Sequence, residues 1–162
     1  MQSLNHRLVS VAFLAFANGT LPELSYAFFM ASIPDQIERI GRKKVLRHRG
    51  WSHDLALWAF LLALFTWPGL VPPLLFALKG EGLLRFRTWV LIYPGFIHVI
   101  MDALTPKGIP VLGKFRLRIP LFSYGKWKEY IFSWVCLGAS MMVHASTIVK
   151  SLTLLLKRIF IL

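Results

Sequence analysis

Hydrophobic residues fall into four long runs along this chain, and short stretches rich in lysine and arginine separate them. The later two runs are each about 20 residues long, the length with which a helix crosses a bilayer. The pattern predicts an all-α fold, an integral membrane helical bundle of about four hydrophobic segments. These segments are Leu8 to Ile33, Asp54 to Leu78, Leu83 to Leu104 and Tyr130 to Val149.

The first run is interrupted at its middle by polar and helix-breaking residues, in the order Asn18-Gly19-Thr20-Leu21-Pro22-Glu23. Thr20 and Glu23 have the spacing of a capping box, and Pro22 suits the first turn of a helix. We therefore expect a broken helical hairpin with its turn at Asn18 to Pro22. One long kinked helix is the alternative, because proline kinks are tolerated in membrane helices.

Composition also favours a membrane protein. Hydrophobic residues make up 56% of the 162 residues, and the mean hydropathy is +0.59. Both values exceed those of ordinary soluble domains. We predict a single membrane domain, residues 1–162, that ends in an amphipathic tail at 150–162. The lone Cys136 permits no intrachain disulfide, and we expect it to serve packing alone.

The net charge of +12 arises mainly from two short basic stretches, Arg39 to Arg49 and Lys107 to Lys128. A nucleic-acid-binding protein displays its basic residues on a polar domain, so we expect no nucleic acid partner. By the positive-inside rule, both stretches face the cytoplasm. The sequence therefore predicts a multi-pass protein of the bacterial inner membrane whose partner is the lipid bilayer. It leaves the oligomeric state open.

A histidine and a carboxylate lie four residues apart in the third run, at His98 and Asp102. On a helix this spacing puts both side chains on one face, within reach of one shared ion. An ionised carboxylate at bilayer depth costs about 2.5 to 3.5 kcal/mol, so a partner, water or a metal is expected beside it. A hydrogen bond that merely closes a polar gap between helices is the alternative.

Other metal-binding residue types fall on the same predicted side of the membrane. Asp35 ends the first run, His53 precedes the second, and the hairpin would return His6 to this side. Together, Asp35, His53, His98 and Asp102 make a mixed nitrogen and oxygen donor set, and we expect His6 close by. Such a set suits a divalent ion, Zn above all, with Mn or Fe as alternatives.

Three further side chains, at the end of the first basic stretch and the start of the second run, are candidates for supporting roles. His48 is a fifth ligand, a residue behind the ligands, or a solvated loop histidine. A bound zinc ion can lower the pKa of a water to about 7, and Asp54 is the candidate acceptor of its proton. The planar guanidinium of Arg49 suits an anionic ester such as a phosphate, although a topology or lipid-headgroup role is the favoured interpretation.

Three ordered blocks of the sequence resemble the motifs of a known family. They are Ser32-Ile-Pro-Asp35, His48-Arg-Gly-Trp-Ser-His53, and the stretch from Gly95-Phe-Ile-His98 through Asp102 to Thr105-Pro-Lys-Gly108. These blocks, with an early histidine, resemble the YdjM-like family of predicted membrane-bound metal-dependent hydrolases. The order of the ligands has a more distant likeness to zinc-dependent phospholipase C. The resemblance implies a metal site drawn from His6, Asp35, His48, His53, His98 and Asp102.

The sequence thus predicts a membrane-bound metal-dependent hydrolase of a phosphoester or lipid ester, acting at the cytoplasmic face. A non-catalytic membrane protein is the alternative, with a buried His/Asp cluster that is structural or lines an ion or solute path. An interfacial lipid-binding protein that uses the tail would leave His98 and Asp102 unexplained. We expect the remaining histidine, His144, to form an interhelical hydrogen bond.

Overall fold

The structure, a computed structural model, describes residues 3–40, 43–44, 49–67, 87–123 and 126–160, with the backbone alone at 39–40, 43–44 and 146–160. Helices dominate these ranges. They are α1 (Ser3–Phe16), α2 (Leu21–Met30), α3 (Ile33–Ile37), α4 (Leu55–Thr66), α5 (Tyr93–Ala103) and α6 (Trp127–Phe160).

Shorter elements connect these helices. Single 3₁₀ turns at Trp51–His53 and Thr88–Leu91 come before α4 and α5. Two small antiparallel sheets pair β1 (Arg39–Ile40) with β2 (Lys43–Lys44), and β3 (Ile109–Val111) with β4 (Phe115–Leu117).

Helix α1 ends and α2 begins at the turn that the sequence predicts. Asn18 is left-handed at φ 54°, and the Gly19 amide donates to the Leu14 carbonyl over 2.9 Å. A Cβ on Gly19 would lie 2.9 Å from the Leu14 side chain, so only glycine fits this close approach. The carboxylate of Glu23 accepts from the Thr20 amide over 2.9 Å, as a capping box requires. A single kinked helix is therefore wrong for this segment.

Helix α5 lies at the centre of the described chain. It packs against α1, α3 and α4, while α1 also packs against α2 and α6. Nearly every side chain of α5 from Pro94 to Ala103 is buried or half-buried. Three small apolar clusters surround it, formed around Val9, Ile97 and Met101; Trp58, Val99, Ala103 and Ile109; and Leu14, Ala27 and Val90.

A close contact between Gly95 and Trp58 sets the distance between α5 and α4. A Cβ added to Gly95 would overlap the indole ring, so the ring takes the place that a side chain would need. The indole Nε1 of Trp58 donates to the Ser52 carbonyl over 2.7 Å. This bond holds the 3₁₀ turn that carries His53 against the central helix.

The predicted all-α membrane bundle is wrong. Two small sheets are present, and no helix in the described ranges has both the length and the apolar character that crossing a membrane requires. The apolar runs are longer than the helices that form within them. The first is divided at Gly19 and again at Ser32, and in the third the helix begins only at Tyr93. Apolar composition predicts burial, whereas backbone breaks decide where a helix ends.

The structure describes the ends of the second and fourth runs only in part. Helix α6 continues without a break through Lys150 to Phe160, but its side chains beyond residue 145 lie outside the description. The part of the second run beyond Trp67 also lies outside it.

His144 Nε2 lies 2.9 Å from the Ala15 carbonyl, and this contact joins α6 to α1. The predicted interhelical hydrogen bond of His144 is therefore confirmed.

Candidate metal centre

His98 and Asp102 lie one turn apart on α5, and both side chains are buried. His98 Nε2 is 3.9 Å from Asp102 Oδ2. The expectation that both groups share one helix face is confirmed. Neither faces solvent, so whatever neutralises the carboxylate must come from the protein or from an ion.

Three other segments bring their side chains to this pair. His6 of α1 places Nε2 3.4 Å from Asp102 Oδ1. His53 of the 3₁₀ turn places Nε2 3.6 Å from Asp102 Oδ2 and 3.4 Å from Asp35 Oδ1. Asp35 Oδ2 in turn lies 3.8 Å from His98 Nε2. Five residues that the sequence singles out thus meet in one cluster, which we call the His/Asp cluster: His6, Asp35, His53, His98 and Asp102.

Backbone and carboxylate oxygens orient two of the imidazoles. His98 Nδ1 lies 2.7 Å from the Ala31 carbonyl, and His53 Nδ1 lies 2.9 Å from Glu38 Oε1. Because a carbonyl oxygen only accepts, His98 Nδ1 carries the hydrogen, and the lone pair of the neutral ring is on Nε2. Both Nε2 atoms therefore face the cluster, as histidine ligands of metal sites do when a second group holds Nδ1.

The burial of these rings leaves polar atoms to be satisfied. His98 is fully buried, and its Nε2 makes no hydrogen bond within the described part of the chain. His6 stacks on His98 with ring centroids 3.8 Å apart and an interplanar angle of 19°. A buried polar atom without a partner is costly, so a nitrogen aimed at carboxylates and other imidazoles fits a cation.

The pKa shifts of one imidazole and both carboxylates of the cluster suit metal binding. Burial lowers the pKa of His98 well below its usual value, and the neighbouring His6 lowers it further. Burial would raise the pKa of Asp35, but the hydrogen bond from His53 and the nearby His98 lower it to about 2. Burial would also raise the pKa of Asp102, yet His6, His98 and Arg49 hold it well below its usual range. Neutral imidazole and ionised carboxylate are the forms that coordinate a metal.

Arg49 is buried behind the cluster. Its Nη2 donates to Asp102 Oδ1 over 2.8 Å, and its Nη1 donates to Thr105 Oγ1 over 2.8 Å and to the Gly108 carbonyl over 3.4 Å. Thr105 Oγ1 donates in turn to the Asp102 carbonyl over 2.7 Å. A side chain that is 7% exposed, with both Nη atoms donating to buried acceptors, does not serve as a headgroup contact. It fixes the orientation of Asp102.

Glu38 supports His53 in a comparable way, and sequence reasoning missed it. Its Oε1 accepts from the Arg49 amide over 2.8 Å and from Ser52 Oγ over 2.7 Å, besides lying near His53 Nδ1. The side chain is 2% exposed. A carboxylate three residues after Asp35 was visible in sequence, but nothing local indicated that it would be buried beside a histidine.

The remaining predicted site residues differ in their surroundings. Asp54 accepts from the amides of Ala56 and Leu57 as the N-cap of α4, and from the amides of Leu112 and Gly113 in the β3–β4 turn. Its predicted role as proton acceptor stays a prediction. His48 lies outside the described residues.

The donor atoms fit a metal ion in two overlapping groups. His6, His98 and Asp102 form one, and Asp35, His53 and His98 form the other. Within each group the donor atoms lie within 4.8 Å of one another. Imidazole nitrogen with carboxylate oxygen is the donor set of Zn, Mn and non-haem Fe sites. The residues present therefore fit the divalent ion that the sequence predicts.

Comparison with known proteins supports the sequence resemblance. No curated protein and no solved structure matches the chain significantly. A family model does match, over residues 1–161, and it is that of the YdjM inner membrane protein. The match takes in every member of the His/Asp cluster and both of its supports, Glu38 and Arg49. The chain belongs to the YdjM inner membrane protein family.

Proposed function

We propose that this chain is a metal-dependent hydrolase of the inner membrane, with the His/Asp cluster as its metal site. The observation that carries the proposal is the convergence of three imidazoles and two carboxylates, from four separate segments, with their donor atoms directed at one another. Four of the five side chains are almost wholly buried. Burying so many ionisable groups is expensive unless a bound ion repays the cost.

The cluster has one side that faces solvent. Asp35 is 38% exposed, whereas the side chains of His53, His98 and Asp102 are at most 3% exposed. A substrate would therefore approach past Asp35. With its pKa of about 2, this carboxylate is ionised at neutral pH. It can orient an approaching water molecule by accepting its hydrogen bond.

The chemistry follows from the donor set. His6, Asp35, His53, His98 and Asp102 would hold a divalent ion, which supplies Lewis acidity for attack of water on an ester. Glu38 and Arg49 keep His53 and Asp102 in place. Cysteine-free nitrogen and oxygen sites are typical of catalytic rather than structural zinc. We propose phosphoesters or lipid esters as the substrate class and the cytoplasmic face as the location.

Metal analysis of the detergent-purified full chain tests the site. We expect bound Zn, Mn or Fe in the unaltered protein, and at least a tenfold weaker affinity in both His98→Ala and Asp102→Ala. His144→Ala is the matched control, because this histidine bonds to a backbone carbonyl instead of joining the cluster. Normal metal content in folded His98→Ala and Asp102→Ala proteins would overturn the metal site.

A hydrolysis assay tests the activity separately. The metal-loaded chain is offered a panel of phosphodiesters, phosphomonoesters and glycerolipid esters, and product release is followed with and without a chelator. Release that the chelator and Asp102→Ala both abolish supports the hydrolase. A metal-bound chain that cleaves no member of the panel would instead favour a structural or ion-binding role for the cluster.

A further inference from the structure

The segment from Leu112 to Leu121 combines apolar and basic side chains, and all of them are exposed. It forms the turn of the β3–β4 hairpin, the strand β4 and the residues that follow. Leu112 and Phe115 are 70% and 71% exposed. Large apolar side chains grouped on a surface in this way mark a contact site. The apolar members are Leu112, Phe115, Leu117, Ile119 and Leu121, and the basic ones are Lys114, Arg116 and Arg118.

The hairpin is anchored to the protein at its base and held at its tip. Ile109 of β3 is fully buried in the cluster around Trp58, opposite Leu117 in the β3–β4 register. At the tip, Asp54 accepts from the amides of Leu112 and Gly113 over 3.2 and 2.6 Å. The exposed apolar side chains are therefore presented by a fixed backbone.

Leu112 is in the left-handed region, at φ 52°. A leucine in this conformation is strained, and one that points to solvent gains no burial in return. Burial of the Leu112 side chain in an apolar environment outside the protein would compensate for this backbone strain. The tip thus presents a large apolar side chain to its surroundings, where an ordinary surface turn has a polar residue or glycine.

The charge pattern identifies the partner. Between Asp102 and Glu129 the sequence contains six lysines and arginines and no acidic residue. Basic side chains that flank exposed aliphatic ones suit a surface that is anionic outside and hydrocarbon within. A surface that binds single-stranded nucleic acid carries aromatic side chains on which the bases stack. The exposed apolar side chains here are mainly aliphatic, which favours lipid over nucleic acid.

We infer that the β3–β4 hairpin docks on an anionic phospholipid surface, with Leu112 and Phe115 inserted and Lys114, Arg116 and Arg118 at the headgroups. The inference goes beyond the proposed hydrolysis and needs no metal. Two contacts tie the hairpin to the His/Asp cluster: Arg49 donates to Gly108 at its base, and Asp54, which holds its tip, directly follows His53. Docking would therefore place the cluster close to the lipid headgroups.

A fluorescent label tests the docking in the full chain reconstituted into nanodiscs. An environment-sensitive fluorophore is attached at Phe115→Cys in a Cys136→Ala background, and quenching by shallow spin-labelled lipids is measured. Discs of phosphatidylcholine alone are compared with discs that also contain phosphatidylglycerol. The control is Ala17→Cys, an exposed position beyond the opposite end of α1 from His6. This helix is about 20 Å long.

We expect strong quenching at position 115 in discs with phosphatidylglycerol and little at position 17. Neutralising Lys114, Arg116 and Arg118 together to glutamine should lower the ratio of inserted to free hairpin on the order of 100-fold, because each basic residue near an anionic surface contributes a factor of about five. Equal quenching at positions 115 and 17 would overturn docking. Quenching at 115 that neither phosphatidylglycerol nor the triple substitution changes would overturn the anionic partner.

A second measurement uses the unaltered chain, so that no substitution can disturb folding. Trypsin cleaves after lysine and arginine, and mass spectrometry reports cleavage after Lys114, Arg116 and Arg118. We expect phosphatidylglycerol to protect these bonds at least tenfold relative to phosphatidylcholine. Equal cleavage in both lipids would contradict the inference, and so would protection by added nucleic acid alone.

Discussion

Arg49 Nη2 donates to Asp102 Oδ1 over 2.8 Å, and both side chains are more than nine-tenths buried. The same arginine donates its backbone amide to Glu38 Oε1, which lies beside His53. Arg49 thus supports one proposed metal ligand, Asp102, directly. It also contacts Glu38, which supports a second proposed ligand, His53. Arg49 adopts φ 56°, a conformation that non-glycine residues rarely take, and its fixed partners hold it there.

Replacing Arg49 with alanine should destabilise the metal-free chain by about 3 to 5 kcal/mol, because it leaves the Asp102 carboxylate buried without its cation. Chemical unfolding of the detergent-solubilised chain in the presence of a chelator measures the effect. The exposed Arg118→Ala is the matched control and should change stability by about 0.5 kcal/mol or less. An Arg49→Ala protein as stable as the Arg118→Ala protein would disprove this role.

Glu38→Gln should weaken metal binding about 10- to 100-fold, the usual effect of losing a carboxylate behind a histidine ligand. The amide that replaces the carboxylate no longer selects the ring orientation of His53. Titration with Zn monitored by calorimetry gives the affinity.

Glu23→Gln serves as the comparison for Glu38→Gln, because Glu23 is also a buried carboxylate but pairs with Arg87 at the α1–α2 turn. It should lower stability and leave the metal affinity within about twofold, a difference of under 0.5 kcal/mol. If both variants lost affinity equally, the effect of Glu38 would be one of general destabilisation.

Gly95→Ala should destabilise the chain by about 1 to 3 kcal/mol, the usual cost of overpacking. The added methyl would overlap the Trp58 ring and push it away from the Ser52 carbonyl, which disturbs the turn that carries His53. Thermal unfolding followed by circular dichroism is the measurement. In Gly138→Ala the new methyl on α6 meets nothing within 4 Å. This variant should gain about 0.5 to 1 kcal/mol from helix propensity, and a similar loss in both variants would refute the contact.

Stability should fall with acidification partly through Glu23. Burial would raise the pKa of its carboxyl, but hydrogen bonds from Arg87 and the Thr20 amide lower it below the ordinary 4.5. Above pH 4.5 the group is ionised in the folded and unfolded chains, so its contribution is complete. As the pH falls from 4.5 through the lower folded value, the unfolded chain gains the proton first and the contribution is lost.

The acid-induced loss should therefore be shallower in Glu23→Gln than in the unaltered chain. Unfolding free energies measured on either side of pH 4.5 give the two slopes. Identical slopes would show that the Glu23–Arg87 pair contributes nothing to the pH dependence.

The sequence by itself determined the features that depend on local spacing. Because His98 and Asp102 are four positions apart, both lie on one helix face wherever that helix lies. Thr20 and Glu23 cap a helix from within a single turn, so the break after α1 could be predicted without any tertiary contact. The residue types of the His/Asp cluster also predicted the metal chemistry proposed for it, because few side chains bind divalent ions.

Only the tertiary structure decided how the cluster is supported and how long the helices are. Arg49 and Asp102 are 53 positions apart, and no local pattern links them. An arginine in a basic stretch looks solvated until the fold buries it beside a carboxylate. The apolar runs are longer than the helices that form within them. Hydropathy depends on the side chains alone, so it does not show the 3₁₀ turn before Tyr93 or the break at Ser32. Burial and backbone termination result from contacts between distant segments, and composition along the chain does not encode them directly.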